Sequence, residues 1–239
     1  MGRIKRYRTA WSRHHRSAGY GIHSPFAFNF VLNVLRERLP YYCYEDIDSL
    51  RKAVIAATRH NFRHPRIISY KNAKLIFRVT NYFSPRQVLQ VGTSYGVSSV
   101  SMLHTSEQMR LVLYEPHLDR YPVVGEVLLP YLERIEFHND LAVAEARYAS
   151  TMAGGEVPYV VINDLPKDED AEELERFLAP MLSGGAVVIM RNLSRNDRMK
   201  SLWKRLRDGM RHGQTFTNEK IAIIVANEKL PLQHFFLWF

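Results

Sequence analysis

The sequence predicts an α/β protein with a doubly wound, mostly parallel sheet that ends in a hairpin and follows an N-terminal helical extension. Three observations support this fold class. Short apolar runs alternate with helical patterns after the Ser84-Pro85 break. The first run leads directly into a Gly-x-x-x-Gly loop at residues 92–96. The last two predicted strands follow each other without an intervening helix, as in a hairpin. Strand–helix alternation, in contrast, is typical of parallel sheets with helices on both faces.

The predicted strands are short runs of mostly apolar residues. They lie at residues 88–91, 111–115, 135–138, 159–163 and 186–190. Apolar residues at i, i+3, i+4 and i+7 predict amphipathic helices at residues 174–181 and 199–206. Residues 214–217 and 221–225, joined through Asn218-Glu219, predict the hairpin instead of another crossover.

The N-terminal region carries helical spacing and no clear strand pattern. Ser24 and Pro25 fit the start of a helix through residues 26–35. Ser49 is predicted to cap a second helix, and residues 73–80 predict a third. The predicted organisation is a basic arm and helical region at 1–84, followed by an α/β domain at 85–239.

Composition limits the classes of protein to which the chain can belong. Its 239 residues are 46% hydrophobic and 24% charged, which suits one sizeable core. The one cysteine, Cys43, excludes an internal disulfide and a cysteine-built zinc site, and we expect a cytoplasmic protein. No apolar run approaches the roughly 20 residues that a membrane span needs.

Basic residues are concentrated at the N-terminus. The net charge is +9, and no acidic residue precedes Glu37. The cations of this arm are Arg3, Lys5, Arg6, Arg8, Arg13 and Arg16. Such an arm favours phosphate polymers such as RNA or an anionic membrane face, or it is simply a solvated segment.

The carboxyl ends of the predicted strands hold the candidate binding residues, because open α/β sheets bind ligands there. The first loop carries Gly92 and Gly96, whose backbone can approach a ligand closely. Ser94 and Val97 stand at two glycine positions of the dinucleotide fingerprint, which argues against NAD or FAD. The second strand ends in Glu115, 23 residues after Gly92, where a carboxylate can bind both ribose hydroxyls.

The third strand ends in Asn139-Asp140, which can bond an adenine edge, although Asn-Asp is also common in turns. The order of these motifs over residues 85–226 resembles class I S-adenosylmethionine (SAM)-dependent methyltransferases, among them the O-methyltransferases related to the catechol and caffeoyl-CoA enzymes. Residues 88–98 match the family's first strand and loop except at Gln90, where the family prefers an acid.

This resemblance implies a Rossmann-like fold with an antiparallel last strand, and SAM as cofactor. The implied cofactor pocket comprises Gln90, Gly92, Thr93, Ser94, Tyr95, Gly96, Ser98, Glu115, Asn139 and Asp140. His23 is a further candidate, because His23-Ser24-Pro25-Phe26 resembles an element of uncharacterised bacterial methyltransferase-like proteins. Its turn can cover the cofactor as a lid, or it can simply start a helix.

The implied acceptor side departs from the family pattern. Metal-dependent relatives place an Asp and a Lys after strand four, positions that Asp164 and Lys167 fill here, with Asn163 competing for the Asp position. Their Asp-Asn pair after strand five is Arg191-Asn192 in this chain. A cation repels a divalent ion, so we expect no catalytic metal. Arg191 instead orients an acceptor oxygen, with Lys167 as the candidate base, or the acceptor site has decayed.

Three functions follow from these observations. The first is a SAM-dependent methyltransferase that acts on a small-molecule acceptor. The second is a non-catalytic SAM-binding protein that kept the fold, and the third is an RNA-directed methyltransferase that uses the basic arm. The apolar tail at residues 235–239 is expected to pack on the sheet or to form a homodimer contact.

Overall fold

The sheet has more strands than the sequence predicts. The computed structural model describes residues 19–59, 67–120, 122–152 and 154–239, and the basic arm at residues 3–16 lies outside this part. The described strands are β1 (Gln87–Val91), β2 (Arg110–Tyr114), β3 (Ile135–His138), β4 (Tyr159–Ile162), β5 (Ala186–Met190), β6 (Gln214–Thr217), β7 (Ala222–Ala226) and β8 (Gln233–Phe236). They form one sheet in the order β3-β2-β1-β4-β5-β7-β6-β8.

The strand directions confirm the predicted doubly wound, mostly parallel sheet. Strands β1 to β5 pair in parallel. Strand β7 is antiparallel to both β5 and β6, as the hairpin pattern predicts. Strand β8 extends the sheet parallel to β6, so the apolar tail packs on the sheet edge. Phe235, Leu237 and Phe239 are buried there, whereas Trp238 is exposed.

Helices cover the sheet and precede it. The described helices are α1 (Pro25–Phe30, continued by a π-helical turn at Val31–Leu35), α2 (Tyr44–Thr58), α3 (Tyr70–Phe83), α4 (Val97–Leu103), α5 (Pro122–Leu128), α6 (Leu141–Thr151), α7 (Asp170–Gly184) and α8 (Asp197–Asp208). Within the described ranges, no helix has the length and apolar character that crossing a membrane requires.

The starts of the N-terminal helices are only partly those predicted. The Ser24 hydroxyl accepts a hydrogen bond from the Ala27 N–H at 3.3 Å and caps α1, as expected. The predicted cap at Ser49 is wrong, because this residue lies inside α2. The helix begins earlier because Glu45 and Asp46 occupy its first turn, where the helix dipole favours carboxylates.

The N-terminal helices share a hydrophobic core with one face of the sheet. The ring centroids of Phe30 in α1 and Phe216 in β6 lie 4.9 Å apart. Arg78 in α3 donates to the carbonyl oxygens of Val34 at 2.7 Å and Leu35 at 3.1 Å, which ties the π-helical turn to α3. A second core on the opposite face holds α6, α7 and α8 against the sheet.

The register defines the edge at which a ligand site can form. Val91, Tyr114, Ile162 and Met190 end their strands at the same edge, since each pairs with its neighbour in the next strand. The loops that follow β1, β2, β4 and β5 therefore meet there, whereas Gln214 begins β6 at the opposite edge.

Candidate functional site

The loop after β1 has an unusual backbone. Gly92 and Gly96 have φ of 80° and 79°, and the intervening Ser94 and Tyr95 have φ of 49° and 59°. A left-handed conformation costs a non-glycine residue roughly 1–2 kcal/mol. A Cβ atom on Gly92 would lie 3.2 Å from the backbone nitrogen of Asp164, so the loops after β1 and β4 touch at this glycine. Strain of this kind is concentrated at functional sites.

Gln90 holds this loop from the interior of β1. Its side chain is fully buried, and its Nε2 donates to the carbonyl oxygen of Gly92 at 2.8 Å and to the Ser98 hydroxyl at 3.3 Å. Its Oε1 accepts from the Ser99 hydroxyl at 2.9 Å. The amide Nε2 has hydrogens to donate to this carbonyl oxygen, whereas an ionised acid has none. Gln90 therefore makes a contact that an ionised acid at the same position would not make. Gln90 and Ser98 therefore brace the loop.

Glu115 follows β2 and contacts the same loop. Its Oε2 accepts from the backbone N–H of Thr93 at 3.1 Å and from the Thr93 hydroxyl at 3.3 Å. Its Oε1 accepts from the His117 N–H at 3.3 Å. The side chain is 8% exposed, and this burial raises the pKa of Glu115 against the opposing effect of its hydrogen bonds. A carboxylate has about four acceptor positions, so one remains for a further donor.

Arg191 crosses from β5 to the glycine loop. Its Nη1 donates to the Ser94 hydroxyl at 2.9 Å and to Oδ1 of Asn163 at 2.6 Å. Asn163 in turn donates from Nδ2 to the carbonyl oxygen of Gly92 at 2.9 Å and to the Ser98 hydroxyl at 3.0 Å. One network thus joins the ends of β1, β4 and β5.

The Arg191 guanidinium is a buried cation with unused hydrogen-bonding capacity. The side chain is 4% exposed, and Nε has no hydrogen-bond partner among the described residues. Burial lowers the pKa of Arg191 to about 10, although Asp164 nearby opposes this shift. The group therefore stays charged at neutral pH. A buried, unsatisfied donor on a cation is costly, so its presence indicates a place for an anionic or polar ligand group.

Of the other predicted acceptor-side residues, Asn192 follows this cation in the chain and Asp164 lies near it, whereas Lys167 contacts Asp170. Asn192, with φ of 60°, donates from Nδ2 to the backbone oxygen of Asn163 at 2.9 Å. The Asp164 carboxylate accepts from Asn196 Nδ2 at 2.8 Å. The backbone N–H of Lys167 donates at 2.8 Å to Asp170, which fixes the loop after β4.

Asp140, one of the two predicted binding residues after β3, also caps a helix. The Asp140 carboxylate accepts from the Val143 N–H at 3.0 Å and caps α6, which is the turn chemistry that the Asn139-Asp140 pair also permits. Both residues remain exposed after β3.

The structure does not bring His23 to the glycine loop. Its neighbour Ser24 accepts a hydrogen bond from Gln214 Nε2 at 2.7 Å, at the edge of the sheet opposite the loop. Of the two alternatives for this segment, a lid over the cofactor and a helix start, the structure has the helix start of α1.

Two residues that matter here were not predicted to do so. From the sequence, Asn163 is only an alternative to Asp164 for the Asp position of metal-dependent relatives. In the structure it links the glycine loop to Arg191. Asn196 caps α8 by accepting from the Met199 N–H at 3.2 Å, and it also holds Asp164. An Asn just before a helical pattern is a cap signal that points to Asn196, whereas nothing in the sequence indicates its contact with Asp164.

Metal ligands are not clustered in the described ranges. No group of three or more His, Cys, Asp or Glu side chains there can hold a metal ion. The expected absence of a catalytic metal stays a prediction.

Comparison with known proteins identifies the fold. No protein-family model and no curated protein matches the sequence. Among solved structures, an O-methyltransferase from Bacillus cereus in complex with SAH matches with a TM-score of 0.58 and 14% identity, over 82% of this chain and 96% of that one. An O-methyltransferase of tomaymycin synthesis from Streptomyces achromogenes, in complex with SAM, gives 0.56 and 16% over 75% and 90%.

A methyltransferase from Geobacter sulfurreducens matches with a TM-score of 0.56 and 19% identity, over 79% of this chain and 91% of that chain. In all three cases nearly the whole of the solved chain is matched. The strand order, the reversed β7 and these similarities agree, and the chain has the fold of these solved methyltransferases.

Proposed function

We propose that the protein is a SAM-dependent methyltransferase that acts on a small-molecule acceptor. The observation that carries the proposal is the contact between Glu115 and the strained loop at Thr93, on neighbouring strand ends. Sheets of this kind bind nucleoside-like ligands at this edge. The solved structures that share the fold include chains crystallised with SAM and SAH, which supports the same cofactor here.

The residues present fit such a cofactor. Glu115 has acceptor capacity for a ribose hydroxyl beyond its contacts with Thr93 and His117. Glycines at both ends of the loop allow a close backbone approach. We assign the ribose to Glu115, the adenine side to Asn139 and Asp140, and the remaining cofactor contacts to the loop of Gly92, Thr93, Ser94, Tyr95 and Gly96. Gln90 and Ser98 hold that loop in its conformation through the hydrogen bonds that they make with it and with Asn163.

SAM supplies an electrophilic methyl group on a sulfonium, so the protein's tasks are to position the acceptor, exclude water and remove a proton. Arg191 holds a fixed positive charge that can orient an acceptor oxygen. Asp164, or Lys167 as its neutral amine, is the candidate to receive the acceptor's proton. Asn192 holds the loop after β5 against Asn163. We propose that no metal takes part, because Arg191 stands where a metal ligand would be needed.

The test is binding and turnover measured on the same protein. Calorimetry at up to millimolar SAM should show binding, and Glu115→Ala should weaken it at least tenfold because a charge-assisted hydrogen bond contributes about 1.5–3 kcal/mol. Glu126→Ala, an exposed acid on α5, is the matched control and should bind as the wild type does. Absence of binding in the wild-type protein rejects the proposal.

A second candidate is a SAM-binding protein without turnover. The observation that favours it is the position of Arg191, whose guanidinium already bonds to Ser94 and Asn163 between the cofactor loop and the acceptor side. Methyl transfer from SAM to a small phenol or carboxylic acid, detected by mass spectrometry, rejects this alternative. Stimulation of that turnover by a divalent ion contradicts the metal-free mechanism.

A further inference from the structure

A polar cavity of about 230 Å³ lies beyond the end of β5. Three of its lining residues are cations: Arg191 on the strand end, Arg195 after it, and Lys220 in the β6–β7 turn. Among the described residues that line the cavity there is no acid. Three positive charges on the lining, against the one nearby carboxylate of Asp164, create a net positive potential that attracts an anion.

Two further features of the cavity point to a bound oxyanion. The N-cap Ser69 and the first-turn residue Asn72 line it from α3, a 14-residue helix whose N-terminal end carries a partial positive charge. Arg191 is 4% exposed, and its Nε lacks a hydrogen-bond partner in the part of the chain that the structure describes. A guanidinium that still has an unpaired donor suits a carboxylate or phosphate group.

The cavity adjoins the proposed cofactor loop, because the Arg191 that lines it also bonds to Ser94 at 2.9 Å. We propose that this cavity binds a carboxylate or phosphate group of the methyl acceptor, so that the acceptor is an anionic small molecule. This inference rests on the proposed methyltransferase function. It adds the chemical class of the acceptor and assigns Arg195 and Lys220 to its recognition.

Inorganic phosphate and benzoate are the probes for this cavity. Each is titrated into the full chain at constant ionic strength, with chloride as the balancing anion. We expect saturable binding to the wild type and about fivefold weaker binding to Arg195→Gln and Lys220→Gln, since an exposed charge-assisted contact is worth roughly 1 kcal/mol. Lys229→Gln, an exposed cation outside the cavity, is the matched control and should be unchanged. Equal affinities in all four proteins overturn the inference.

A second pair of ligands separates the acceptor from the cofactor as the source of the anion. SAM carries a carboxylate, whereas 5′-methylthioadenosine carries none. We expect Arg195→Gln and Lys220→Gln to bind both nucleosides as the wild type does. A loss of affinity for SAM alone assigns the cavity to the cofactor and overturns an acceptor site. Failure of the wild type to bind either nucleoside rejects the proposed function itself, a result distinct from failure of phosphate and benzoate to bind.

Discussion

Substitution of Gly92 by alanine should destabilise the protein, because Gly92 lies where the loops after β1 and β4 touch. Substitution of Gly125 by alanine should stabilise it. Gly92 has φ of 80°, and a Cβ there would lie 3.2 Å from the Asp164 nitrogen. Gly125 lies in α5, where an added Cβ would meet nothing within 4 Å. The same substitution to alanine should therefore change stability in opposite directions.

The size of each change follows from these environments. At Gly92, a left-handed alanine costs roughly 1–2 kcal/mol and the tight contact about 1 kcal/mol more, offset by roughly 0.7 kcal/mol of reduced unfolded-state entropy. The net loss is about 2 kcal/mol, a fall in Tm of roughly 4–8 °C for a chain of this length. Gly125→Ala should gain about 1 kcal/mol, because alanine is the better helix former.

Chemical denaturation at 25 °C and thermal unfolding measure both variants against the wild type. Equal stability of Gly92→Ala and the wild type would show that the loop is not held against Asp164. A destabilised Gly125→Ala would show that α5 is not helical at that position. Either result refutes the corresponding part of the reasoning.

The remaining predictions concern burial and charge. Burial raises the pKa of Glu145 to about 8, with Glu173 adding to the shift, so the folded state favours the protonated acid. The stability that the protonated Glu145 contributes is complete below pH 4.5 and is lost as the pH rises from 4.5 through 8, a total of roughly 5 kcal/mol. Glu145→Gln should remove this part of the pH dependence in denaturation curves, and an unchanged slope would contradict the assignment. Arg78→Met should cost about 2–4 kcal/mol in the same assay because the Val34 and Leu35 carbonyl oxygens lose a charged donor, and wild-type stability would show that this tie is dispensable. Burial raises the pKa of Glu115, so its carboxyl group takes up a proton at a higher pH than an ordinary glutamate does. On acidification, SAM affinity should therefore begin to fall above the usual titration range of a glutamate. A pH-independent affinity in calorimetry would argue against a carboxylate at the ribose.

Much of the sheet was predictable because its signals are local. The five parallel strands are apolar runs, and the amphipathic helices α7 and α8 show a clear 3.6-residue period. Strand β8 was not predicted as a strand, because Gln233–Phe236 is defined by pairing with β6, a contact distant in sequence. The start of α2 was misplaced because Ser49 offers a cap signal that the acidic first turn of the helix overrides.

The candidate site was predictable where it depends on position in the fold and not where it depends on side-chain contacts. Strand order alone brings Gly92 and Glu115 together. The sequence does not indicate that Asn163 joins the glycine loop to Arg191, since these contacts link residues 28 and 71 positions apart. The placement of His23 failed for a similar reason, because Gln214 holds the neighbouring Ser24 at the opposite edge of the sheet.

The most direct test of the central claim asks whether Glu115 binds a ribose hydroxyl. Wild type and Glu115→Ala are titrated by calorimetry with S-adenosylhomocysteine and with its 2′-deoxy analogue. We predict that removal of the hydroxyl costs the wild type about tenfold or more in affinity and costs the variant little, because each change removes the same hydrogen bond. An equal loss in both proteins, or no binding of the nucleoside to the wild type, would contradict the account.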